Sequence, residues 1–273
     1  MVSFPNCKIN LGLHITGKRT DGFHNLETVF YPIAIKDAIE IIPSTLDKEI
    51  DFTCSGKIIN VQAEDNICIK AYRILKKDFP QLPNIKMHLH KNIPMGAGLG
   101  GGSANASAVL IMLNDLFTLE ISKEKLIEYA LQLGSDCPFF IYNNPCFAKG
   151  RGEILQPIPI DLSAYKIMIV NPGIHVNTRV AFSYLNENNF SPENTLIPIL
   201  NAGITNWKNN LKNDFEKSVF SQHPAIEEIK NTMYAHGAVY SAMSGTGSTV
   251  FGIFEKTKNV SLNFPAHYFC QLV

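Results

Sequence analysis

Five glycines fall within the seven positions Gly96 to Gly102, in the run Pro94-Met95-Gly96-Ala97-Gly98-Leu99-Gly100-Gly101-Gly102-Ser103-Ala104. A loop without side chains lets backbone N–H groups converge on an anion, and a following helix adds about half a positive charge at its N-terminus. Each glycine costs roughly 0.5–1 kcal/mol relative to alanine in ordered structure, so a mere connector explains the run poorly. The chemistry implied is the holding of phosphate by main chain. Lys8 and Asn10 lie two apart in an alternating segment and share one face of a strand. Asp136 stands between a helix stop at Gly134 and Pro138, so its backbone is fixed, and the plain reading makes it a helix N-cap. The plain reading of Lys8 is a solvated strand lysine. Gly245-Thr246-Gly247 sits between two apolar segments, where a tight hairpin turn and a close approach to phosphate are equally good explanations.

Several phosphate loops are excluded by their neighbours. Gly96 to Gly101 matches G-x-G-x-x-G, but in a dinucleotide site the glycines follow the first strand directly, and here Lys91-Asn92-Ile93-Pro94 intervenes. The ribose-binding acid would have to be Asp115 or Glu120, within or just after the helix, which is the wrong place for it. A Walker A loop needs a lysine after its glycines, and none follows. His-Arg-Asp and Asp-Phe-Gly, the marks of protein kinases, are missing.

The elements that must position these residues divide into a β-rich first third and a mixed remainder. Alternation predicts a strand over 7–16, with Ile9, Leu11, Leu13 and Ile15 on one face. A turn cluster follows at 17–22, then strands at 26–35, 38–42, 50–54 and 85–90 and a helix over 66–77. The helix after the glycine run reaches about Phe117 and is apolar nearly all round between Ala108 and Leu113, so it should be buried. A second helix spans 122–133, capped by Ser122 and stopped by Gly134. The stretch 150–159, with two glycines and two prolines, is the best domain boundary. Beyond it come a strand at 166–170, a helix at 178–185, a polar loop at 186–194, a helix at 224–236, and strands at 238–243 and 249–254. The fold class expected is α+β in two lobes, 1–157 and 158–273.

The chain of 273 residues carries 24 basic and 24 acidic side chains, with 45% hydrophobic residues. That balance excludes intrinsic disorder and argues against a nucleic-acid binder that lives on phosphate attraction. The apolar run 108–113 is far short of the roughly 20 residues of a membrane span. The N-terminus lacks the pattern of a secretory signal. Six scattered cysteines without Cys-x-x-Cys read as reduced thiols, and no structural-zinc spacing occurs. A cytoplasmic protein with a small-molecule partner and no nucleic acid or membrane partner is expected.

The glycine run resembles the P-x-x-x-G-L-G-S-S/G-G-S-A loop of the GHMP kinase superfamily. Asn6-Cys7-Lys8-Ile9-Asn10-Leu11, Arg19-Thr20-Asp21-Gly22-Phe23-His24, Leu133-Gly134-Ser135-Asp136-Cys137-Pro138-Phe139 and Ser244-Gly245-Thr246-Gly247-Ser248 follow in the order that superfamily has them. The closer resemblance is to its members that phosphorylate an alcohol carried on a cytidine diphosphate. The family implies a two-lobed fold, with an N-terminal ATP-binding lobe like domain 2 of ribosomal protein S5 and a ferredoxin-like C-terminal lobe on the substrate side. It implies ATP with Mg²⁺, bound by Pro94 to Ala104 with Asn66 and Lys91 near the adenine, and a monomer or weak homodimer. Asp136 becomes the catalytic base and Lys8 its partner, keeping the carboxylate ionised. Asn10, Phe23, His24, Thr178 and Phe182 become substrate-binding residues, with the rings clasping cytosine; Phe182 could equally be core packing. Phe23 departs from the tyrosine common in the family, which removes a phenol hydrogen bond. Ser103 is a conceivable Mg²⁺ contact, but no protein metal site is expected. Other small-molecule kinases of the superfamily, of mevalonate or homoserine type, and a non-catalytic nucleotide binder are the alternatives.

Overall fold

Alternation along the first strand and the glycine stop of the central helices are both realised in the computed structural model of the chain, which describes residues 1–57, 62–185 and 190–273. The part of the expected polar loop at 186–189 lies outside the described residues. Two compact units interleave along the sequence: Met1–Cys7, Ala34–Met95 and Gly100–Asn144 form one, and Lys8–Ile33, Gly96–Leu99 and Pro145–Val273 the other.

The first unit holds a four-stranded sheet of β1 (Val2–Ser3), β4 (Ala38–Pro43), β5 (Ile50–Gly56) and β6 (Ile85–Lys91), in the order β1-β4-β6-β5. The β4–β6 pair is antiparallel and β5–β6 parallel, a crossover that α1 (Ile67–Asp78) supplies. Asn66 caps α1 by accepting the Cys68 N–H at 2.9 Å. The glycine-led helix α2 (Gly101–Leu116) is buried at every residue from Ala104 to Leu110, as its apolar surround requires. Ser122 caps α3 (Lys123–Leu133) and Gly134 ends it. A short helix α4 (Cys137–Tyr142), with Pro138 in its first turn, follows Asp136. Ile39, Ile41, Tyr72, Leu75, Met87, Val109 and Leu113 centre one core between this sheet and these helices.

The second unit carries two sheets. In one, β2 (Asn6–Lys18), β3 (His24–Lys36), β7 (Cys146–Lys149) and β8 (Ile154–Pro157) lie in that order. The stretch 150–159, expected as a boundary, is instead the turn and outer strand of the β7–β8 hairpin, with Gly150 and Gly152 at φ of 71° and 106°. The partition therefore differs from the single cut expected at 157: β7 and β8 belong with β2 and β3 because β7 pairs with β3 across Thr28↔Ala148. The other sheet has the order β10 (Tyr240–Met243), β11 (Val250–Glu255), β9 (Tyr165–Asn171), β12 (Phe269–Leu272), antiparallel throughout. That is the ferredoxin-like strand order; the described connection from β11 to β12 carries no helix, while α9 (Pro224–Ala235) lies on the connection from β9 to β10. The same connection carries α5 (Thr178–Ser183), α6 (Leu196–Asn201), α7 (Trp207–Asn210) and α8 (Glu216–Gln222). Among the described residues no helix is long and apolar enough to cross a membrane.

Candidate active site

The polar face of β2 is buried, not solvated. Lys8 is only 3% exposed; its ammonium donates to Asn10 Oδ1 at 2.7 Å and lies 4.7 Å from the centre of the Phe30 ring. A charge taken out of water needs such partners, so this lysine is built into the fold for a purpose that surface solvation does not serve. Asn10 in turn donates through Nδ2 to Thr28 Oγ1 at 3.0 Å, and Thr28 donates to the Gly12 carbonyl at 2.5 Å. The amide is thereby oriented, with its oxygen toward the ammonium.

Main-chain bonds bring the glycine run to this strand. Lys8 N–H donates to the Leu99 carbonyl at 3.0 Å, and Asn10 N–H to Ser244 Oγ at 3.2 Å. Ser244 Oγ donates to the Gly98 carbonyl at 2.8 Å, and Thr249 N–H to the Ala97 carbonyl at 3.2 Å. Residues 96–99 and the turn 244–248 are thus bonded to one another and to β2. The approach is so close that glycine is required: Gly98 has φ of +76°, and a Cβ there would collide with the Ser244 carbonyl oxygen. Gly245, at φ +58°, would place a Cβ 3.3 Å from Gly98 Cα. The C-terminal glycines therefore make a hairpin turn between β10 and β11 and also admit the first glycine loop. Asn213 braces this turn by donating to the Met243 and Gly245 carbonyls at 2.7 and 2.8 Å. Glu216 accepts Met243 N–H at 2.8 Å and pairs with Lys230 at 2.6 Å; burial pushes its carboxyl up despite that lysine.

In the first unit the run continues into α2, with Gly100 at the N-cap in a left-handed conformation (φ 67°). The first turn of any α-helix leaves N–H groups without intrahelical partners, and here that turn is Gly101, Gly102 and Ser103. Asp136 occupies the N-cap position of α4, yet its carboxylate makes no capping bond there. The residue's backbone is held all the same: Cys137 N–H donates to the Gly134 carbonyl at 3.1 Å and Ser107 Oγ to the Cys137 carbonyl at 2.8 Å. Burial pushes the Cys137 thiol up to about 12, and Ser103 hydrogen-bonds to it from the first turn of α2. Asp136 is thereby fixed beside the start of the glycine-led helix.

Asn66 spends its side-chain oxygen on capping α1, and the buried Lys91 ammonium forms a salt bridge with Asp37. Met95 is largely exposed.

The aromatic residues converge only in part, and the expected clasp is not formed: two of its rings lie on each other and leave no gap for a base between them. His24 stacks on Phe182 with ring centres 4.8 Å apart and planes at 21°, and Phe190 meets His24 edge-on. Phe182 also packs on Phe215, so core packing and ring presentation are served by one side chain. Phe23 points away into solvent at 54% exposure, with the Arg151 guanidinium 5.0 Å from its ring. Thr178 and Thr246 share a hydrogen bond of 3.2 Å, which links α5 to the C-terminal glycine turn. Sequence reasoning did not single out Arg151, which lies over the Phe23 ring, or Asn213 and Ser244, which bond the C-terminal glycine turn and the glycine run. Arg151 lay in the Gly150-Arg151-Gly152 punctuation read as a boundary, and Ser244 bordered a motif whose glycines drew the attention.

Comparison with known proteins shows the family. The GHMP kinases N terminal domain matches residues 66–144 and the GHMP kinases C terminal domain residues 199–268. The chain is 48% identical over 273 residues to a 4-diphosphocytidyl-2-C-methyl-D-erythritol kinase of Bacteroides fragilis, covering 99% of this chain and 98% of that protein. It is 50% identical over 256 residues to the kinase so named from Bacteroides thetaiotaomicron, covering 93% and 92%. A crystal structure of 4-(cytidine 5'-diphospho)-2C-methyl-D-erythritol kinase superposes with a TM-score of 0.80 at 30% identity, over 93% of this chain and 90% of that one. A homoserine kinase of Cytophaga hutchinsonii, at 16% identity and a TM-score of 0.70 over 94% and 85%, shares the fold.

Proposed function

The chain belongs to the GHMP kinases, and from that premise we propose that it transfers the γ-phosphoryl group of ATP to the 2-hydroxyl of 4-diphosphocytidyl-2-C-methyl-D-erythritol. The observation that carries the choice of substrate is the His24–Phe182 stack. It offers a π-face together with a hydrogen-bonding ring edge, which a nucleobase uses and a small alcohol such as mevalonate or homoserine does not. Thr178, on the same helix as Phe182, adds a hydroxyl.

In the reaction, the substrate hydroxyl oxygen forms a bond to Pγ as the bond from Pγ to the β–γ bridging oxygen breaks, and ADP departs. The hydroxyl proton passes to the Asp136 carboxylate. Lys8, held on Asn10, would stabilise negative charge on the attacking oxygen. Backbone N–H groups from Gly96 to Ala104 would hold the β- and γ-phosphates, which is how a chain of zero net charge grips a polyphosphate. Among the described residues no three His, Cys, Asp or Glu side chains are grouped to hold a metal ion. Ser103 would offer its hydroxyl to Mg²⁺, whose other ligands would come from phosphates and water. When bound, the ion neutralises charge on the β- and γ-oxygens. We place the enzyme in the cytosol, consistent with six cysteines that form no disulfide.

The test is selectivity. The cytidine-diphosphate alcohol should be turned over with a kcat/KM at least about a thousandfold above mevalonate and homoserine, since an aromatic base contact and its polar edge are each unavailable to those substrates. Phe182→Leu should raise the KM for that alcohol about tenfold and leave the KM for ATP unchanged, the size expected for one stacking face. Equal rates on all three alcohols, or a Phe182→Leu effect confined to ATP, would assign the chain to another kinase of the family.

A further inference from the structure

The sequence draws no attention to Asp37, a lone aspartate between β3 and β4, yet its carboxylate is wholly buried and collects four donors. Oδ1 accepts the Asn92 N–H at 2.7 Å and the Ile93 N–H at 2.8 Å. Oδ2 accepts Asn105 Nδ2 at 2.9 Å and the Lys91 ammonium. Asn92 and Ile93 lead directly into the glycine run, and Asn105 is in the second turn of the helix that leaves it. One carboxylate therefore ties together the two stems of the phosphate loop.

Packing around the pair shows how tightly the stems are held. A Cβ on Gly101 would lie 2.8 Å from Ile93 Cγ2 and 3.0 Å from Lys91 Nζ, so the ion pair sits directly beneath the first residue of α2. That is the positive end of a helix dipole, where an unpaired lysine is unfavourable. Asp37 neutralises the lysine and leaves the helix end to attract an anion from its other side.

We infer that Asp37 is the positioning residue of the ATP phosphate loop, acting through the main chain of Asn92 and Ile93 and through Asn105 without touching the nucleotide. Its charge is what the arrangement needs: a carboxylate accepts four bonds with no donor of its own, whereas an amide in its place would present an N–H₂ to Asn105 or Lys91. The inference rests on the family's use of ATP and is independent of which alcohol is phosphorylated.

The experiment measures Mg·ATP affinity by titration calorimetry and steady-state constants on three variants, with thermal unfolding recorded for each. Asn105→Ala removes only the link to α2. It should weaken ATP binding and raise the KM for ATP about tenfold, with kcat and the KM for the alcohol within about twofold of wild type. Asp37→Asn should do more and also lower the thermal midpoint, because it leaves a buried lysine unpaired. Adding Lys91→Met removes that lysine, and the double variant should recover thermal stability while its ATP affinity stays well below that of a Lys91→Met control. ATP affinity that recovers together with the thermal midpoint would make Asp37 a purely structural ion pair. A folded Asn105→Ala with wild-type ATP affinity would overturn the inference outright. Because the calorimetry needs no acceptor, a wrong assignment of the alcohol would leave both readings intact.

Discussion

Asp136→Asn is expected to lower kcat by about a thousandfold or more, near the upper part of the range for loss of a general base. Asparagine keeps the shape and loses only the ability to take the hydroxyl proton. The fold should tolerate the change, because asparagine is isosteric with aspartate and the backbone is held by Gly134 and Ser107. The KM for ATP should stay within a fewfold of wild type, since phosphate binding is assigned to main chain. Single-turnover rates separate the chemical step from product release, and a variant that retains a tenth of the wild-type rate removes Asp136 from proton transfer.

Lys8→Met is the second large effect, with kcat falling about a hundredfold to a thousandfold, comparable to removing one strong electrostatic contact from a transition state. Methionine approximates the aliphatic stem, so the packing against Phe30 survives while the charge and the bond to Asn10 are lost. Lys8→Arg should not restore activity. A site 3% exposed has no room for a planar guanidinium, and its fork of donors cannot reproduce one ammonium directed at Asn10 Oδ1. Circular dichroism should show both variants folded. Turnover by Lys8→Met within fivefold of wild type would mean that the buried lysine serves the fold and not the reaction.

Much of this site is legible because its parts are local. Strand alternation put Lys8 and Asn10 on one face, and the glycine density announced a backbone that must approach something closely. What alternation could not say is that both faces of β2 are covered, so that Lys8 is buried. Helix α4 escaped notice because six residues are too few to show a period. The β7–β8 hairpin was hidden because glycines that make a tight turn resemble those of a linker until the pairing partner β3, more than a hundred residues earlier, is known. Helices α6 to α8 were hidden by the same shortness as α4. Asp37 is the extreme case. Its four donors lie 54 to 68 residues away, and no local pattern of sequence encodes a contact of that kind.

The even balance of 24 basic and 24 acidic side chains belongs with this account, since a phosphate grip made of backbone N–H groups needs no basic excess. The most direct measurement is the mass of the product. Purified protein, Mg·ATP and 4-diphosphocytidyl-2-C-methyl-D-erythritol should yield one new species heavier than the alcohol by a single phosphate, with ADP formed in equal amount. ADP formed without that species, or an alcohol recovered unchanged by folded protein, contradicts the account.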